Sequence, residues 1–162
     1  MAVNDAELLR GLSPEAAQQL MALGTHVRVP SGTELFPLGA PADRVFVVER
    51  GRIDLSLPMH VRSRDEDVLI EERLPGQAFG WSALIPPHRF TLKAVAPLDT
   101  EVLAIPRPAL LEYFAAHPDV AYIVTRNVAE VVSGRLQVFQ AMWLREMQRG
   151  LELRSQPARG MA

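Results

Sequence analysis

The chain predicts a mainly β fold with flanking helices: a sandwich, barrel or jelly roll followed by a long C-terminal helix. Three observations carry this. Short β-rich segments recur between residues 26 and 105, each bounded by glycine or proline, the pattern of an all-β sandwich or roll. A proline-started helix precedes them. From residue 119 onward the apolar period changes to threes and fours and stays there to residue 153, which is a helical signal.

The elements follow in order. Asn4-Asp5-Ala6-Glu7 offers a cap before Leu8-Leu9, and Gly11-Leu12 breaks that first turn. Ser13-Pro14-Glu15-Ala16 is a helix start, with a serine cap, proline at the first helical position and an acid in the first turn. Leu20, Met21 and Leu23 give that helix an apolar side before Gly24 ends it. Strands are expected at 26–30, 34–36, 44–49, 52–57, 67–73, 90–96 and 101–105. Ser31-Gly32, Gly39, Arg50-Gly51, Pro58, Pro75-Gly76 and Pro97 separate them. Arg50-Gly51 reads as a tight hairpin with Gly51 at positive φ, and the mixed charges of 62–67 read as a solvated hairpin tip.

Residues 109–115 predict a short helix closed by His117-Pro118. The long helix, 119–153, carries two apolar seams. One runs through Ala121, Val124, Val128 and Val131, the other through Val132, Leu136, Phe139, Trp143 and Met147. One small β domain needs only one of them. The second is expected to pack on another copy of the chain, giving a homodimer through 119–153. The division expected is a β domain at 1–118, a dimerisation helix at 119–153 and a disordered tail at 154–162.

Composition narrows the function. A length of 162 residues suits one substantial core, and 48% apolar residues exclude wholesale disorder. A formal charge of −2 argues against a dominant nucleic-acid face. With no cysteine there is no disulfide, thiolate nucleophile or cysteine-ligated metal. No secretory signal and no apolar run of bilayer length is present, so a soluble cytoplasmic protein without a membrane partner is expected. His26, His60, His88 and His117 lie scattered, without metal-ligand spacing, and Ser82 has no histidine at a fixed local distance. These patterns predict no enzyme activity, catalytic residue, metal or cofactor.

The chemistry concentrates in residues 76–94. Gly80 precedes a short apolar turn, Trp81 to Ile85, which Pro86-Pro87 stops, and Arg89 enters a run that alternates like a strand. Unpaired N–H groups at a turn start and a guanidinium one loop later suit a phosphate. Ser82 would cap the turn or meet a phosphate oxygen, and His88 could help to hold an anion. The plainer alternative is a proline-stopped connection with one surface arginine.

This stretch resembles the phosphate-binding cassette of the cyclic-nucleotide-binding domain, the sensor of the catabolite activator protein and of cyclic-nucleotide-gated channels and kinases. Phe79-Gly80, Ala83-Leu84, Thr91 and the closing residues 100–105 fall where that family has its equivalents. Residues 29–36, Gly39 and 45–55 look like its first glycine-spaced strands, so the likeness runs from Leu8 to Leu136. It implies a double-stranded β-helix, or β-roll, acting as a regulatory sensor. By the same likeness the ligand is a small anion, cyclic AMP or cyclic GMP foremost. Phe79, Gly80, Trp81, Ser82, Ala83, Leu84, Arg89 and Thr91 would hold it, with Arg135 near the base and an effector protein reading the state.

Two departures stand against the matches. The family usually has glutamate directly after Phe-Gly, and here that position is Trp81. Its phosphate-binding arginine directly precedes the Ser/Thr, whereas here Phe90 precedes Thr91 and Arg89 sits one residue early. On a strand that shift turns a side chain to the other face, so Arg89 needs a bulge or loop adjustment to reach a phosphate. The family's bacterial transcription factors carry a helix-turn-helix after the long helix; the residues after Leu153 are too few for one, so no DNA-binding module is expected. The alternative is a ligand-free dimeric protein–protein interaction domain whose pocket is filled by Trp81 and Phe90.

Overall fold

A computed structural model of the chain describes residues 6–155. After a 3-10 turn, Glu7–Leu9, helix α1 (Pro14–Met21) begins where Ser13 accepts the Ala16 amide through its hydroxyl at 3.2 Å. Proline then occupies the first helical position, where its missing N–H costs nothing. The strands are β1 (Thr25–Val29), β2 (Glu34–Phe36), β3 (Arg44–Arg50), β4 (Ile53–Val61), β5 (Arg64–Arg73), β6 (Ala78–Phe79), β7 (Lys93–Val95) and β8 (Thr100–Pro106). Helices α2 (Arg107–Ala116) and α3 (Pro118–Ser155) complete the order.

The strands form two antiparallel four-stranded sheets, β1-β8-β3-β6 and β2-β7-β4-β5. Val45 to Val48 are all buried, so β3 has a packed environment on both faces. On one face Phe46 meets Phe36 of the opposite sheet, with ring centroids 5.8 Å apart. On the other lie Leu103 and Ile105 of β8, where a β-carbon at Gly24 would come within 2.7 Å of Leu103 Cγ. Gly24 thus lets the segment after α1 lie directly on the outside of the sheet. This is the expected β-roll with flanking helices.

Several local expectations change. Arg50-Gly51 is not a hairpin, since β3 and β4 belong to different sheets and do not pair. It is a corner that carries the chain between sheets. Gly51 has φ 86°, and a β-carbon there would lie 2.7 Å from the Asp99 carbonyl oxygen. Pro58 does not end its strand; it pairs with Asp67 inside β4. Beyond Ser56 the β4 strand has only β5 beside it, so the missing N–H falls on an open edge. The hairpin tip tightens to Arg62 and Ser63, both at positive φ. The strand expected at 90–96 shortens to Lys93–Val95, and the two-residue β6 carried no sequence signal.

Helix α3 includes Arg154 and Ser155, which were expected to fall in the disordered tail; the rest of that tail, and the Asn4-Asp5 cap, lie outside the described residues. Compactness divides the chain at Asn127, within α3. In the first unit Val120 and Val124 are buried and the Asn127 side chain donates to the carbonyl oxygens of Leu8 (2.9 Å) and Arg10 (2.8 Å). In the second, Val128 and Val131 are buried while Leu136, Trp143 and Met147 are exposed. Among the described residues no helix is long and apolar enough to cross a membrane.

Candidate functional site

The predicted anion cassette forms a short 3-10 segment, Trp81–Leu84, entered through Gly80 in the left-handed region at φ 75°, ψ 21°. Glycine is required there twice over. The conformation is costly for other residues, and a β-carbon would stand 3.0 Å from Phe46 Cδ2, 3.1 Å from the Arg44 carbonyl oxygen and 3.3 Å from Phe90 Cε1. Ser82 and Ala83 are buried, Trp81 and Leu84 half-buried. No side chain caps the segment.

Four phenylalanines back this turn. Phe36 and Phe90 stack with centroids 3.5 Å apart and planes 9° apart, and Phe46 and Phe79 stack at 5.0 Å. All four rings are buried. Sequence reasoning placed Phe79 at the site and Phe90 as a filler, but missed Phe36 and Phe46. Each looked like an ordinary inward strand residue, and only the facing of two sheets brings them to Gly80.

Pro86 and Pro87, joined by a cis peptide bond, follow the turn, and His88 takes φ 56°. His88 to Phe90 then runs antiparallel to the loop after β2. The Phe90 amide donates to the Ala40 carbonyl (3.0 Å), the Ala42 amide to that of His88 (2.8 Å) and the Gly39 amide to that of Phe90 (2.8 Å). Arg89 sits at the bridge with Pro41, exposed, and its Nη1 donates to the Gly39 carbonyl oxygen at 2.9 Å. Extended backbone alternates sides, so Phe90 turns inward and Arg89 outward. Thr91 is exposed. His88 Nδ1 is buried without a hydrogen-bond partner. Gly80, Ser82 and the aromatic cluster are therefore brought together, while the Arg89 guanidinium lies on the loop beyond Phe90. Arg135 is half-buried on α3, in the second unit.

Behind the cassette lies a polar linkage that no local pattern announced. The Glu7 amide donates to the Gly76 carbonyl (2.8 Å), and the Glu7 carboxylate accepts from the Ala78 amide at 3.3 Å. Buried Arg73 pairs with Glu7 at 3.3 Å and Glu71 at 2.6 Å. The N-terminal turn is thus tied to the two residues that lead into Gly80. Among the described residues no group of three or more histidines or acids is placed to hold a metal ion.

The family model described as the cyclic nucleotide-binding domain matches residues 26–117. The chain is 28% identical over 134 residues to glutaminase 1 of Bradyrhizobium diazoefficiens, covering 83% of this chain and 21% of that protein. It is 27% identical over 130 residues to the cyclic AMP receptor protein of Thermus thermophilus, covering 80% and 57% respectively. A crystal structure of the N-terminal domain of a transcriptional regulator from Streptomyces coelicolor A3(2) is similar at a TM-score of 0.69 and 24% identity, over 83% of this chain and 94% of that one. The chain spans about a fifth of the glutaminase and somewhat more than half of the receptor protein.

Proposed function

The chain belongs to the cyclic nucleotide-binding domain family, and from that premise we propose that it is a non-enzymatic regulatory domain whose cassette, residues 80–91, takes a small anionic ligand, a cyclic nucleotide foremost. The observation that carries this reading is Gly80: the left-handed glycine that opens an uncapped turn is kept, and it lets that turn pack directly on Phe46 and the Arg44 carbonyl. Phosphate oxygens would meet backbone N–H groups of the Gly80–Leu84 turn and the Ser82 hydroxyl. Trp81 removes the carboxylate expected for a ribose hydroxyl, a loss of about 1.5–3 kcal/mol, or roughly ten- to hundredfold in affinity. Arg89 would leave the Gly39 carbonyl to reach the phosphate beside Thr91.

The linkage through the N-terminal turn supports a route for the signal. Asn127 of α3 holds the carbonyls of Leu8 and Arg10, and Glu7 holds Gly76 and Ala78, just ahead of the cassette. A ligand that favours one cassette position over another would shift the population of α3 states by its difference in affinity. A second copy bound through 119–153, and an effector protein, would read that shift. The exposure of Leu136, Trp143 and Met147 supports the homodimer.

A second reading has its own observation. The Phe36–Phe90 stack fills the space behind Gly80 with apolar rings, and Arg89 is already engaged elsewhere. That arrangement favours a ligand-free dimeric interaction domain in which the cassette survives as structure. Calorimetric titration of the purified chain with cyclic AMP and then cyclic GMP separates the two. Micromolar binding is expected for the sensor; silence up to millimolar nucleotide would leave the interaction domain.

A further inference from the structure

We propose that the cleft between β1 and β2 is a second small-molecule site, distinct from the Gly80–Leu84 turn, that takes a flat aromatic ligand carrying a single anionic group. The cleft opens to solvent and has a volume of about 330 Å³, at the small end of the roughly 300–1,000 Å³ usual for such sites. Half-buried Val27 and Leu35 line it together with the buried rings of Phe36, Phe46 and Phe90. No residue of Trp81–Leu84 lines it. Gly80 packs on Phe46 and Phe90, so these two rings stand between the cassette turn and the cleft.

The lining chooses the chemistry. Over the cleft lie Pro37, Ala40 and Pro41. The two prolines have no N–H, the Ala40 carbonyl is taken by the Phe90 amide, and the Ala40 amide donates to the Pro37 carbonyl at 3.4 Å. The loop therefore presents apolar side chains, with both Ala40 backbone groups and the Pro37 carbonyl already hydrogen-bonded. A ligand with many hydroxyls and phosphate oxygens would lose water against these apolar side chains with little replacement, which disfavours a nucleotide. A planar ring system instead gains edge and face contacts with three phenylalanines.

Two charged side chains, Asp43 and Arg44, also line the cleft. Arg44 is half-exposed, and its Nε lies 3.7 Å from Asp43, beyond hydrogen-bond reach. Its guanidinium is therefore available for a forked pair of bonds to a carboxylate or sulfonate. Asp43 is more exposed than Arg44, so solvent and salt screen its opposition to an incoming anion.

The test uses the full chain, labelled with nitrogen-15, titrated with 2-naphthoate and with the neutral 2-naphthalenemethanol. Saturable shifts centred on the amides of Val27, Leu35 and Ala40 are expected for both. Ala40→Trp should fill the cleft and abolish them. Arg44→Gln, at a half-exposed position, should weaken naphthoate about tenfold and leave the alcohol unchanged; it keeps the test decisive even where Ala40→Trp fails to fold. The proposal is overturned by the absence of saturable shifts, by binding that survives Ala40→Trp, or by equal weakening of both probes in Arg44→Gln.

Discussion

Arg89 donates from Nη1 to the carbonyl oxygen of Gly39 at 2.9 Å. The bond is exposed, so Arg89→Ala should change stability by no more than about 1 kcal/mol. Its effect on a ligand is the informative one. If a phosphate recruits the guanidinium, the substitution abolishes cyclic nucleotide binding in calorimetry. Unchanged affinity would remove Arg89 from the site and leave the backbone as the anion's holder.

Two glycines at similar φ should behave differently. Gly32 has φ 81°, and a β-carbon added there would meet nothing within 4 Å, so Gly32→Ala carries only the conformational penalty of about 1 kcal/mol. Gly51 has φ 86°, and its β-carbon would strike the Asp99 carbonyl oxygen and Thr100 Cα, both backbone, at 2.7 and 2.8 Å. Neither can move without displacing Thr100, whose hydroxyl accepts the Arg52 amide at 3.1 Å. Gly51→Ala should cost about 3 kcal/mol or more, seen as a lower urea midpoint. Equal costs for the two would mean that the corner is not tightly packed.

What the sequence made legible follows the range of the interaction that decides each feature. Ser13-Pro14 sets α1 through contacts within four residues, and the helix starts as expected. Gly51 signals a positive φ, yet whether its turn joins paired strands or crosses between sheets depends on β8, which lies beside β3 but far along the chain. Pro58 reads as a breaker because its tolerance rests on β7 ending short of it. At the site, the alternation of Arg89 and Phe90 was readable, and so was the turn at Gly80. The ring stack with Phe36 was not, because a strand residue and a loop residue far apart in the chain carry no mutual mark in one sequence. The same holds for the Glu7–Arg73 pair and for Asn127 with Leu8 and Arg10, which join residues far apart in the chain.

Asn127 is a case where the distant contact can be weighed. Its Nδ2 donates to the carbonyl oxygens of both Leu8 and Arg10. Asn127→Leu leaves the buried Leu8 carbonyl without this donor, which costs about 1–3 kcal/mol. Asn127→Asp should cost more, because it sets a carboxylate against two carbonyl oxygens. Denaturant unfolding of both variants checks the order. An unchanged midpoint for Asn127→Leu would show that the N-terminal turn is not held by α3.

The His26 ring should titrate above its usual 6.5, since its Nδ1 lies 2.8 Å from a Glu49 carboxylate oxygen, a hydrogen bond and an attraction that both favour the imidazolium. With the folded-state value raised, the pair's contribution is complete below 6.5 and fades as pH rises through the folded value. The ring is exposed, so water and salt keep the effect on stability small. Proton NMR titration should find His26 raised in the native chain and back near its ordinary value in Glu49→Gln. A titration unaffected by that substitution would mean the two side chains do not pair in solution.

The last prediction concerns the exposed seam of α3. Leu136, Trp143 and Met147 are 57%, 62% and 47% exposed, far more apolar surface than one face of a solvated helix usually shows. Val124, Val128 and Val131, on the other expected seam, are buried. A second copy could cover the exposed seam by the three-and-four spacing alone, with each helix supplying the same residues. Leu136→Glu with Trp143→Glu should therefore turn a dimer into a monomer in light scattering, while the circular dichroism keeps its shape because neither side chain is in the core. Removing the helix after Pro118 would be a poorer test, since it also takes away Val120, Val124 and the Asn127 clamp, and loss of the dimer could then follow from loss of the fold. A native chain that is already monomeric at tens of micromolar would leave the seam to some other protein partner, and the population shift would have to be read from one helix rather than from a pair.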